Sequence, residues 1–406
     1  MLRGRHMSLL ASGVNALDDL DLLIPAPRLS SLNFMFTEKC NLKCVYCPQH
    51  SVSRPMMDAS AELLQVIVTY ILNNHIQSAG IGFYGETLCF KGWESYVQIL
   101  LDAGVSMSLC SNWNHKLSNE EVDVLSRFSF LQFSIDTADQ ELLRSIRPSA
   151  DIKVILYNMH LIRSRSLLNG MPIPTIMWCS VLSNRNIPVL SELVAMAISN
   201  GVAKINFNEL EYYSESSQEL VSVFDLHGRD FIVAVDAIEK MDRLAKKYGV
   251  EITYAFNSFL QMLHERKNRE LDYLANGLCA GDDQMHRTQV SGIQGVSSHL
   301  SIRATSIQPS ENGCHTRLCL APWNSVYVLA DGTVCTCCVR GESMGRITTE
   351  TSLDDILASN TYREFRWRLL TGNIIDNACL ACPVTPIVKP VELLYHVSNL
   401  LKVKYA

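Results

Sequence analysis

The chain has 406 residues, with 35 Lys and Arg against 41 Asp and Glu, and it carries 14 cysteines. At roughly 150 residues per domain this length suits two to three domains, and 48% hydrophobic with 19% charged residues excludes disorder, collagen and coiled coil. The formal net charge of −6 calls for no nucleic-acid partner, and no apolar run reaches the ~18 residues of a membrane span.

The opening stretch MLRGRHMSLLASG lacks the apolar core of roughly 7–15 residues that a secretory signal needs. The expectation is a cytoplasmic chain whose cysteines are thiols rather than disulfides. Strands and helices then alternate. Leu32–Thr37, Gly80–Tyr84, Val105–Cys110, Phe130–Ile135, Ile173–Val181 and Ala203–Asn208 read as six strands. Ala59–Asn73, Trp93–Ala103, Ala138–Arg147 and Val189–Asn200 read as helices between them, with a capped start at Ser118 and a Gly201 stop. This order predicts βαβ units and a parallel sheet. Gly228–Tyr248 and Phe259–Leu274 are further helices around a possible strand, Glu251–Ala255. A Ser-, Gly- and Gln-rich stretch over 281–313 reads as a boundary, and Val388–Val403 as an amphipathic closing helix.

The cysteines cluster, and clusters in a reduced compartment read as metal sites. Cys40, Cys44 and Cys47 fall in the loop after the first strand, the strand end that carries chemistry in α/β barrels. Three thiolates hold three corners of an iron–sulfur cube and leave the fourth iron to a small ligand; a structural zinc is the competing reading. The second cluster pairs a hairpin, Asn324–Leu329 and Thr333–Cys338 around an Asp331-Gly332 turn, with a helical stretch Leu353–Leu370 and the C-x2-C of Cys379 and Cys382. Cys319, Cys337, Cys379 and Cys382 form a four-thiolate set for iron–sulfur or zinc, and Cys335 could replace Cys337. A further cluster on Cys279, Cys314 and Cys335 is a lesser alternative.

The C-x3-C-x2-C pattern, with the aromatic Tyr46 before the last Cys, resembles that of the radical S-adenosylmethionine (SAM) enzymes. Tyr84-Gly85-Glu86-Thr87 is similar to that family's Gly-Gly-Glu-Pro, with Tyr and Thr as departures. Ser111-Asn112 sits where the family has Thr-Asn-Gly, and Ser134-Ile135-Asp136 ends a strand as its Ser-x-Asp does. The resemblance implies that Glu86, or the backbone carbonyls beside it, meets the SAM ammonium, and that Arg147 forks onto its carboxylate. It puts the nucleoside at Leu182-Ser183-Asn184. Asn112, Ser134 and Asp136 complete the expected cofactor contacts, Asp136 having a helix cap as its plainer alternative. Cys319, Gly332 and Cys337 with Cys379 and Cys382 resemble the auxiliary-cluster domains called SPASM or twitch, in the shorter form.

The implied architecture is a partial (β/α)6 TIM-like barrel over 32–280, after an extension at 1–31. A linker at 281–313, an auxiliary domain at 314–386 made of a β-hairpin plus helix, and a terminal helix at 387–406 follow. The implied cofactors are SAM, its 4Fe–4S cluster and one auxiliary 4Fe–4S cluster, with a flavodoxin- or ferredoxin-type electron donor. The implied activity is reductive SAM cleavage to a 5′-deoxyadenosyl radical and hydrogen abstraction from a substrate C–H, with the auxiliary cluster accepting an electron. The short stretch before the first strand leaves no room for a leader-binding domain, which favours a small-molecule substrate, a natural-product intermediate, or a separately bound peptide. Peptide maturation or epimerisation is the alternative, Cys110 or Cys179 being the candidate hydrogen donor of an epimerase or other redox-neutral reaction; a zinc-binding module without activity is a further one.

Overall fold

The computed structural model describes Leu23, residues 29–47, Gln49, 56–211, 220–255, 258–275, 313–337, 342–380, Cys382 and 385–402. Most of the expected extension and linker, together with Cys279 and Cys338, lie outside the described residues.

Seven parallel strands run in chain order: β1 (Ser31–Phe34), β2 (Ser78–Ile81), β3 (Ser106–Ser111), β4 (Phe130–Ser134), β5 (Thr175–Leu182), β6 (Lys204–Glu209) and β7 (Glu251–Tyr254). The helices between them bury one face of this sheet. Leu32 and Phe34, Met107 and Leu109, Leu131 and Phe133, and Ile205 and Phe207 all point into that layer. Because side chains alternate along a strand, the opposite face carries Asn33, Ser108, Cys110, Gln132, Ser134, Met177, Cys179, Asn206 and Asn208. This second face is mostly polar and, Cys179 apart, half exposed. Gly80 keeps it open, since a Cβ there would stand 2.2 Å from Asn33 Oδ1.

The six expected strands are present to within a few residues, and Glu251–Tyr254 is a seventh. The capped start at Ser118 is a full capping box, with Glu121 bonding back to the Ser118 amide. One helix, Ile152–Leu168, was not visible in the apolar pattern. Its inner face includes Asn158 and Ser166, which hydrogen-bond the carbonyls of Trp113, His115 and Ser126. Polar residues on the buried stripe erase the 3.6-residue periodicity that reveals such helices.

The C-terminal unit contains β8 (Thr316–Arg317), β9 (Ser325–Val328), β10 (Thr333–Cys335), β11 (Ser343–Arg346) and β12 (Ile387–Val388). β9, β10 and β11 are antiparallel neighbours, and β8 pairs with β12. β9 also lies parallel to β1, from Ser31 opposite Ser325 to Phe34 opposite Val328. β9, β10 and β11 therefore extend the barrel sheet to ten strands. The stretch read as one helix, Leu353–Leu370, is two, Leu353–Ala358 and Asn360–Thr371. Ser359 breaks it by turning extended and capping the second helix through its hydroxyl. Among the described residues no helix is long and apolar enough to cross a membrane.

Candidate active site and auxiliary cysteine site

The loop after β1 is fixed before its first cysteine. Thr37 and Asp58 bridge two segments, and the Thr37 hydroxyl donates to Asp58 at 2.6 Å. Gly85 adopts a φ of +69°, and a Cβ there would stand 2.3 Å from the Thr37 carbonyl oxygen. Only glycine combines that backbone with that approach. Its neighbour Glu86 donates its amide to the Lys39 carbonyl at 2.8 Å, so the segment after β2 lies directly under the cysteine loop.

Cys40, Cys44 and Cys47 are mutually close enough to shift one another's ionisation. Burial pushes the Cys44 thiol up to about 11, and the chain packed around the Cys40 sulfur, although that residue keeps an exposed edge, pushes its thiol up to about 12. Donors surround the sulfurs. The Leu42 amide reaches Cys40 Sγ at 3.4 Å, the Asn112 amide group at 3.6 Å, and Arg147 Nη1 reaches Cys44 Sγ at 3.9 Å. Thiolates bound to iron need such compensation, because a desolvated anion is otherwise costly. No group of three or more His, Cys, Asp and Glu among the described residues forms the shell of a single metal ion. Thiolates that each hold a different iron of a cube need not converge on one point. The donor set fits a cluster with one iron left to another ligand.

Two buried carboxylates organise the surroundings. Glu86 accepts from the Leu88 amide, the Ser111 hydroxyl at 2.8 Å and the Asn112 amide at 2.8 Å, and burial pushes its carboxyl up. Three of its roughly four acceptor directions thus serve the chain itself. Asp136 accepts from Tyr46 Oη at 2.9 Å, Arg147 Nε at 2.6 Å and the Val181 amide at 2.8 Å. Arg147 was expected within a helix, as a fixed guanidinium. It stands at the C-cap of Gln140–Ile146, held against Asp136, with Tyr46 under its guanidinium at 5.4 Å. Asp136 does not cap the next helix; Asp139 does.

Leu182, the last residue of β5, is buried, and beyond it Asn184 is tied to Val221 by its amide and its Oδ1. Thr87 is buried at the start of a short turn. Cys110 and Ser134 share the second face of the sheet, and Asn208 reaches Cys179 Sγ at 3.1 Å. Two residues of this site escaped the sequence reading. Asn186 ties Ser183 to the Asp136 carbonyl through its side chain. Trp113 holds a φ of +57°, a left-handed conformation that costs a non-glycine residue about 1–3 kcal/mol. The signal was present: Trp113 follows Ser111-Asn112 where the resemblance places a glycine.

The C-terminal unit brings Cys319, Cys337, Cys379 and Cys382 together, since the charges of the other three all act on the Cys379 thiol. Burial, then Asp376 and these thiols, pushes Cys379 far up. The buried guanidinium of Arg317 assembles the set. It donates to the carbonyls of Cys379, Thr385 and Leu380, which fastens the C-x2-C segment to the strand before Cys319. Arg317 gave no signal in sequence, being one basic residue in a polar stretch. Cys335 is buried on β10 and Cys314 is exposed.

Known proteins bear on both regions. The radical SAM superfamily profile matches residues 34–177, and that of an iron–sulfur cluster-binding domain, SPASM, matches 319–383. An uncharacterized protein of Methanocaldococcus jannaschii is 23% identical over 59% of this chain and 77% of its own. Streptococcus suis SuiB bound to S-adenosylmethionine superposes with a TM-score of 0.51 at 13% identity, covering 84% of this chain and 68% of SuiB. Native anSMEcpe with bound AdoMet and Kp18Cys peptide gives 0.53 at 14% identity, covering 91% and 96%. These structures share the fold.

Proposed function

Starting from a chain that belongs to the radical SAM superfamily and carries a SPASM domain, we propose that it oxidises a C–H bond of its substrate by two electrons. When bound, the first cluster with SAM supplies hydrogen-atom abstraction and the auxiliary cluster an electron sink, so the substrate loses two hydrogens overall. Cys40, Cys44 and Cys47 would hold the first cluster, and Cys319, Cys337, Cys379 and Cys382 the second. The observation that carries the reading is the pairing of β9 with β1, which builds the four-thiol unit and the three-thiol loop onto one sheet.

The chain's own residues prepare the site. Arg147 and Asp136 neutralise one another beside Cys44, and Tyr46 covers them. The Glu86 amide and Gly85 hold the loop floor. The polar second face of the sheet offers Ser134, Asn206 and Asn208 as hydrogen-bonding groups for a substrate, while the helices exclude water from the other side. A peptide is the substrate class to try first. SuiB has been solved with the precursor peptide SuiA, and anSMEcpe with the Kp18Cys peptide; these complexes support a peptide over a small molecule.

The test is anaerobic reconstitution, reduction and SAM addition, with candidate peptides and small molecules supplied in turn. Methionine and 5′-deoxyadenosine should form together with a product two hydrogens lighter than its substrate. An unchanged or isomeric product mass alongside steady 5′-deoxyadenosine formation would replace oxidation by a redox-neutral reaction.

A further inference from the structure

Among the described residues of the C-terminal unit, two buried hydroxyls have no hydrogen-bond partner. Tyr362, on the helix Asn360–Thr371, is fully buried, and its Oη lacks a hydrogen-bond partner. Thr336 is 2% exposed, and its Oγ1 is in the same position. A buried hydroxyl left unsatisfied costs about 1–3 kcal/mol, so native folds rarely keep one without a reason.

Both residues border the auxiliary cysteine set. Thr336 lies between Cys335 and Cys337. Tyr362 is near enough to Cys319, Cys335 and Cys337 for their charges to act on it. The Tyr362 ring is also fixed in place. The Arg366 guanidinium lies 4.3 Å from its centre and is itself anchored to the carbonyls of Pro322, Leu23 and Leu357. A rigid donor beside thiolates requires an acceptor, and a four-iron cube supplies both sulfide and thiolate sulfurs.

We infer that Tyr362 Oη and Thr336 Oγ1 donate hydrogen bonds to the sulfurs of the auxiliary cluster and raise its reduction potential. This rests on the assignment of that cluster to Cys319, Cys337, Cys379 and Cys382. Reduction adds a negative charge to the cluster, and a donor at sulfur stabilises the more negative state more strongly. The two residues act through the cluster and touch no substrate, so they tune an electron acceptor.

The experiment uses the full chain with Cys40, Cys44 and Cys47 replaced by Ala, reconstituted with iron and sulfide without oxygen, so that only auxiliary iron is read. About four irons per chain should bind, and Cys379→Ala should lose them. Iron retained by Cys379→Ala would overturn the cluster assignment itself, separately from the role of the hydroxyls. The midpoint potential is then read by spectroscopic titration. Tyr362→Phe and Thr336→Val should each favour the oxidised form by about tenfold, a shift of ~59 mV to more negative potential for a one-electron couple. Thr336→Ser, which keeps the hydroxyl, should hold the original potential. Unshifted potentials in both Tyr362→Phe and Thr336→Val at full iron content would overturn the inference, as would a Thr336→Ser that behaves like Thr336→Val. Where Tyr362→Phe loses iron, the Thr336 pair decides.

Discussion

The loop after β1 draws its three thiols from eight consecutive residues, whereas the C-terminal site gathers four from three separate stretches of chain. The first is surrounded by charge: Glu86, Asp136 and Arg147 are all buried beside it. The second is held by guanidinium groups that spend their donors on backbone carbonyls, Arg317 on the C-x2-C segment and Arg366 on Pro322 and Leu357. Cys40 is exposed at the first site, while Cys319, Cys337, Cys379 and Cys382 are all partly covered. A local loop with one exposed edge suits a cluster that must admit a ligand. A set of four assembled across the fold suits one closed by protein.

Substitutions can break this contrast. The largest difference should come from exchanging one thiol at each site. Cys44→Ala should abolish 5′-deoxyadenosine formation, while Cys379→Ala should keep some of it and lose substrate turnover; chromatographic product analysis distinguishes them. Equal loss in both variants would make the two sites one functional unit. Next, Asp136→Asn strands the buried Arg147 charge. It should cost about 3–5 kcal/mol in denaturant unfolding, with loss of iron from the first loop and retention at the second. Gly85→Ala forces a Cβ against the Thr37 carbonyl at a positive φ, and should cost about 1–3 kcal/mol or more. The smallest effect concerns His115 and Glu121, 3.5 Å apart and about one-third exposed on the histidine side. Glu121 raises the His115 pKa. The pair's stabilisation is therefore full below the unfolded value of about 6.5 and fades as pH rises through the raised folded value. His115→Gln should lower stability by under about 1 kcal/mol at pH 5.5 and leave it unchanged at pH 9.

How much of this was legible in sequence follows the same division. The three-cysteine loop and the strand ends that face it are local patterns, each carried by a few adjacent residues. Most strand and helix positions were readable for the same reason, because alternation and helical spacing reflect burial on one face. Ile152–Leu168 was not readable, since Asn158 and Ser166 serve hydrogen bonds within its buried stripe. The partnership of Arg147 with Asp136 was hidden as well. Both residues were singled out, but no spacing rule says that a guanidinium will meet a carboxylate of the chain before it meets a ligand. Arg317 and Asn186 act on backbone groups distant in the chain, and backbone acceptors leave no trace in residue identity. The union of β9 with β1 was likewise unreadable, because parallel pairing between remote strands depends on packing rather than on any turn.

That union has a consequence for how the polypeptide is made. The β1 segment is separated from its β9 neighbour by 294 positions, as the Ser30–Asn324 hydrogen bond at the end of the pair records. At synthesis speeds of about 5–20 residues per second, one border of β1 waits roughly 15–60 s for its mate to leave the ribosome. Until then the growing chain presents an unfilled row of amides and carbonyls, open to pairing with other chains. Truncated forms ending before Ser325 would keep that vulnerability permanently.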